Sequence, residues 1–176
     1  MTFATWARRV GAAAAILVVV GVGASADDNW VPVTGGNGDF HFLAPTEPKV
    51  ETSNDTDNGV PYAQTLYTSV ATGFAEIGTF SDYGTANVQP EIDLVVTGFL
   101  KGMGATLISN EPMPYVRGPK DTLTGALVSA RSDKATCHVR LVIDHARIYG
   151  LAACGLTGYD ATAEMDRAIA SFTITK

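Results

Sequence analysis

The stretch ATCHVRLVIDHARIYGLAACG, residues 135–155, decides how the rest of the chain is read, because it holds both cysteines and two of the three histidines. Two alternating runs meet at His145-Ala146. A hairpin turning there pairs Asp144 with Arg147 and, stepping outward, Cys137 with Cys154. In that register Cys137, Val139, Leu141 and Ile143 stand opposite Cys154, Ala152, Gly150 and Ile148, an apolar face, while His138, Arg140 and Asp144 share the other face with Arg147 and Tyr149. Pattern and cysteines select the same register independently. Alternation from a two-residue turn makes 137/154 a non-hydrogen-bonded pair, with Cα atoms about 4.5 Å apart, a separation that a disulfide tolerates.

Three readings of the pair compete. A disulfide staple is favoured if the chain is exported. A metal site could draw on Cys137, Cys154, His138 and His145, but strand alternation sends His138 away from the sulfurs and short-spaced ligand pairs are missing. Two buried free thiols are the third. We therefore expect a Cys137–Cys154 bridge, with no metal and no cofactor.

The first residues speak to compartment. Arg8 and Arg9 precede an apolar run from Val10 to Val22, and Ala24-Ser25-Ala26 offers a small-x-small cleavage site before Asp27. The run is short of the roughly 20 apolar residues that span a bilayer. Residues 1–26 are thus expected to be a signal peptide, placing the mature chain outside the cell or in the periplasm or cell envelope, not membrane-spanning. Arg8-Arg9 leaves the twin-arginine route open beside general secretion.

Those residues carry two of the 12 basic and none of the 18 acidic side chains, which leaves a formal charge of −8 on the remainder. Such a surface repels phosphate backbones, and no basic run interleaved with aromatics appears, so nucleic acid is not an expected partner. About 150 residues suffice for one domain with a real core.

Along the chain, DDNWVPVTGGNG (27–38) reads as a flexible tether, with a single domain over 39–176. Phe40 and Phe42 mark a short strand stopped at Pro45; residues 49–61 read as a polar, turn-rich loop; residues 62–80 read as two strands joined near Thr72-Gly73. From Pro90, the residues Ile92, Val95, Val96, Phe99, Leu100 and Met103 make one helical stripe that Gly104 ends, the pattern of a helix packed on a sheet. A short strand follows at 105–109. NEPMPYVRGPKD (110–121), with three prolines, reads as an exposed loop, and Tyr115 and Arg117 are residue types enriched at interfaces, which makes them the candidate binding residues. Three strands fill 122–155. A second helix fits 160–170, with Asp160 or Thr162 as its cap and Ala161, Met165, Ala168 and Ile169 on its apolar side. Strands in runs with a helix in the middle and one at the end give an α+β class: an antiparallel sheet with helices packed on it.

Catalytic signatures are weak. No G-x-S-x-G is present, and Asp144 beside His138 and His145 reads first as a turn residue and partner of Arg147. His41, between two phenylalanines, reads as exposed. The glycine-rich TGGNG and KGMGA lack the strand-turn-helix setting of a phosphate loop. Asn54-Asp55-Thr56 matches a glycosylation sequon without further support, and Asp55, Asp57 and Asn58 lack the later glutamate of a calcium loop.

Three fragments together resemble a known pattern: FHFLAPTEP (40–48), RIYGLAAC (147–154) and IASFTI (169–174). They are similar to the entry strand, the R-x-Y-x-L strand and the terminal S-F of the PsbP and Mog1-like group. The resemblance implies an α/β/α sandwich around an antiparallel sheet. It implies little about activity: the group includes thylakoid-lumen photosystem subunits, a nuclear-transport factor and small secreted bacterial proteins, mostly binders. The expected role is an exported, non-catalytic binding domain for an envelope protein or an apolar ligand. The alternative is a secreted hydrolase using His138 or His145.

Overall fold

The computed structural model describes residues 30–57, 59–84 and 88–175. The expected signal peptide lies outside them. Eleven strands and two α-helices are seen among the described residues: β1 (Val31–Gly35), β2 (Phe40–Ala44), β3 (Lys49–Asp57), β4 (Val60–Ala71), β5 (Phe74–Asp82), α1 (Ile92–Met103), β6 (Thr106–Pro112), β7 (Tyr115–Gly118), β8 (Asp121–Arg131), β9 (Ala135–Asp144), β10 (Arg147–Leu156), α2 (Thr162–Ser171) and β11 (Thr173–Ile174). The large sheet runs β3-β4-β5-β10-β9-β8-β6, with β7 also on β8; a small sheet runs β1-β2-β11. Every pairing in both sheets is antiparallel.

The hairpin at 135–155 has the expected register, Asp144 opposite Arg147 and Cys137 opposite Cys154. Cys137 and Cys154 form a disulfide with Cα atoms 4.1 Å apart, as a close, non-hydrogen-bonded pair should. Its apolar face belongs to a core with Val95, Val96, Phe99 and Leu100 of α1 and Ile77 of β5. The stripe read from Pro90 onward therefore packs on the sheet. Gly104, at φ 60°, ends α1: its N–H reaches Lys101 O and that of Ala105 reaches Leu100 O at 2.9 Å, the paired closure that a left-handed residue permits.

The opposite face of the hairpin is covered too: Tyr149 and Val142 are buried there with Phe40, Phe42, Phe172 and Met165 from the small sheet and α2. Phe40 sits at the centre, with ring centroids 5.1 Å from Phe42, 5.5 Å from Phe172 and 6.1 Å from Tyr149. The polar residues on this face are satisfied by distant groups, which local alternation does not reveal. The N-cap of α2 is Ala161, neither Asp160 nor Thr162, although Asp160 Oδ1 accepts from the N–H of Thr162 at 3.2 Å just before the helix.

Three further expectations need correction. Residues 30–38 are no tether, because β1 pairs with β2 and buries Val33, and Trp30 packs on Phe74 at 5.7 Å beneath the Arg167 guanidinium. The packed domain thus begins before Asp39. Residues 49–57 form an edge strand paired with β4, not a loop; their side chains are mostly exposed, so they carry no apolar period. Residues 110–121 divide between β6 and β7, both laid against β8.

Candidate binding surface

The two residues expected to rim a recognition surface are turned inward. Tyr115 lies opposite Leu123, on the face of the small sheet, where its ring meets Phe172 edge-on at 6.2 Å. Its hydroxyl accepts from the N–H of Ile174 at 2.8 Å and donates to that residue's carbonyl. Arg117 donates to Asp121 at 2.6 Å and to Asp144 at 2.9 Å. These bonds, Asp121 first, hold its guanidinium more firmly protonated than usual. Tyr115 and Arg117 anchor β7. Arg117 also takes the partner assigned to Arg147, which instead reaches Asp39 at 3.0 Å and Asp82 at 3.2 Å.

What the anchored strand presents outward is its intervening residue. Val116, opposite Thr122, is 69% exposed. Leu107, Ile108 and Met113 of the same edge are exposed as well. Scattered exposed aliphatics need no explanation; these four form a row spread along β8, from Leu107 opposite Ala130 to Val116 opposite Thr122.

The corner between β6 and β7 is held rigidly. Arg140, only 5% exposed, passes its guanidinium to the carbonyl oxygens of Met113 and Pro114, and burial lowers its pKa. Met113 N–H donates to Gly125 O at 2.9 Å. A Cβ on Gly125 would lie 2.6 Å from Met113 O, so only glycine lets the corner cross β8 this closely. Backbone that is pinned from beneath offers its side chains at low ordering cost.

Beside this edge, on the α1 face, runs a groove. One hollow of about 270 Å³ lies between Ile92 and Asp93 of α1 and Asn110, Pro112 and Pro114, over Thr122–Ala126. A second, of about 400 Å³, shares Thr122–Thr124 and continues past Gln89–Glu91 to Ile143, Asp144 and His145. Asn110 reaches across to Asp93 at 3.4 Å. A separate groove of about 650 Å³ at the start of α2 includes Arg131, Asp133, Tyr159 and Met165.

The histidines do not converge. His138 points away from the disulfide, toward Asp166 of α2 at 3.6 Å; His41 meets Thr34 Oγ1 at 3.1 Å; His145 Nδ1 lies 2.6 Å from Asp144 Oδ1 but is 93% exposed. Among the described residues no three His, Cys, Asp or Glu side chains are grouped to hold a metal ion, and no helix is long and apolar enough to cross a membrane.

The sequence reading singled out Tyr115 and Arg117; the structure turns both inward and leaves Val116 between them exposed. The signal was there: a strand at 115–118 puts Tyr115 and Arg117 on one face and Val116 on the other.

Neither a family model nor a curated protein matches the chain. Its architecture is similar to the solution structure of cyanobacterial PsbP (CyanoP) from Synechocystis sp. PCC 6803, with a TM-score of 0.55 at 12% identity, over 89% of this chain and 95% of that one. The fold is PsbP-like α+β, as the three fragments implied.

Proposed function

We propose that this chain is an exported, non-catalytic binding domain of the cell envelope or extracellular space, which recognises a protein through the β6–β7 edge. The observation that carries the reading is the row of exposed aliphatics, Leu107, Ile108, Met113 and Val116, along an edge whose Met113-Pro114 corner is pinned by Arg140. The disulfide supports an oxidising compartment. A photo-reactive amino acid at position 116, with position 50 on the opposite edge as control, tests it in the host cell. Val50 is also exposed. A defined adduct from 116 alone, with binding then rebuilt from purified components, is expected. Equal labelling at both positions, or none, would refute the assignment of this edge.

One observation favours a hydrolase instead: the Asp144–His145 contact at the end of a groove containing Thr122 and Thr124. Against it, Asp144 is already neutralised by Arg117, and so exposed a ring is not held for proton transfer. Hydrolysis of simple esters by the wild type, lost in His145→Ala, would reverse the preference.

A further inference from the structure

The groove between the start of α1 and the β6–β7 edge has a chemical character that narrows the partner. We propose that it takes an extended segment in which a lysine or arginine stands beside apolar side chains; this rests on the binding reading above.

The lining is apolar along Ile92, Pro112, Pro114, Ala126 and Ile143, and its charged residues include Glu91, Asp93 and Asp144 but no lysine or arginine. Asp144 is held by Arg117. Glu91 and Asp93 are exposed on the wall, and among the described residues Asp93 receives only the neutral amide of Asn110 on its side chain. Arg117 is held between Asp121 and the groove's own Asp144, and Arg140 by the carbonyls of Met113 and Pro114, so neither guanidinium is paired with Glu91 or Asp93. Among the described residues Glu91 and Asp93 thus carry negative charge on the wall without a salt bridge, while Asp144 is already matched by Arg117.

A helix N-terminus by itself accommodates acidic residues. That accounts for Asp93 in the first turn but not for the apolar lining beside it, or for Val116 exposed at its outer end. An apolar segment with one cation satisfies both features. The formal charge of −6 on the whole chain also favours encounter with a basic partner and disfavours an acidic one. Addition of a strand along the wall is hindered, since Pro112 and Pro114 have no N–H to donate, so recognition falls to side chains.

The test pans a random short-peptide library against the full chain, then measures binding of the selected peptides. Sequences with a basic residue flanked by apolar ones should be enriched, and the double variant Glu91→Gln/Asp93→Asn should weaken them about tenfold at low salt, with the gap narrowing at high salt. Thr124→Arg, which places a cation over the floor, should weaken the same peptides. No enrichment, enrichment of peptides without a cation, or unchanged affinity in both variants would overturn the proposal. A specific adduct from position 116 alongside such a failure would leave the edge as the binding surface and remove only the groove's role.

Discussion

The carboxylate of Asp144 binds Arg117, 2.9 Å away across the β7–β9 end of the sheet, and not Arg147, its neighbour in the hairpin. Asp144 is 7% exposed, so the pair is more than surface decoration. Arg117→Ala removes the guanidinium from a largely buried acceptor, leaving it the His145 contact, and should lower stability by about 1–3 kcal/mol. Tyr115→Phe, which removes both contacts to Ile174, should cost about 1 kcal/mol. Chemical denaturation reads both. Stability unchanged in both variants would mean these side chains do not anchor β7.

The disulfide closes a separation of 17 residues, and both cysteines are buried against α1. Constraint of the unfolded chain is worth roughly 3 kcal/mol for a loop of this size. Intact-mass analysis of the exported protein should find two hydrogens fewer than in the reduced chain. Reduction should lower the melting temperature by about 6–12 °C, at roughly 2–4 °C per kcal/mol for a domain of this size. Two thiols alkylated in the freshly isolated native protein would overturn the staple.

Phe99 of α1 is 1% exposed and packs with Val95, Val139 and Leu141 in the core under the helix. Phe99→Ala should cost roughly 3–5 kcal/mol, as large core truncations do. A change within about 0.5 kcal/mol, the scale of ordinary surface substitutions, would mean that the stripe is not core.

Alpha-helix α1 and the β9–β10 hairpin were legible because each turns an apolar face to the same core, which writes its period into the residues. Strand β3 was not, since it is a sheet edge held by backbone pairing to β4, and Thr52, Asn54 and Thr56 stay exposed on it. Strand β1 hides behind the Gly-rich turn that follows it; Asn37, at φ 61°, and Gly36 bend the chain so that Val33 reaches the core. The partners on the roofed face of β9 and β10 were hidden for a related reason. His138 and Arg140 look solvent-directed in a single strand, yet their partners, Asp166 and the Met113 carbonyl, arrive from other elements.

The same roofed side holds one group that no pattern explains. Glu76 lies mid-β5, opposite Ser69 of β4 and Ala153 of β10, and is fully buried. Neither carboxyl oxygen has a hydrogen-bond partner among the described residues. The nearest hydroxyl across the pair, that of Ser69, is committed to Thr46, donating to its carbonyl at 2.9 Å and accepting from its N–H at 3.0 Å. Burial pushes the Glu76 pKa up from 4.5 to about 9, so the side chain is neutral in the native protein at pH 7. A folded-state pKa above the unfolded one means that the folded state holds the extra proton. The resulting stability is complete below about pH 4.5 and is lost progressively as pH rises toward about 9. The loss runs at about 1.4 kcal/mol per pH unit, or roughly 3 kcal/mol by pH 7. Glu76→Gln keeps the shape and removes the titration, and any fixed cost of its amide does not alter a slope. Denaturation followed from about pH 5 to about pH 8 should therefore show wild-type stability falling relative to Glu76→Gln by about 1.4 kcal/mol per unit. Parallel curves for the two proteins would show that Glu76 is ionised in the native state and that its burial without a partner is wrong.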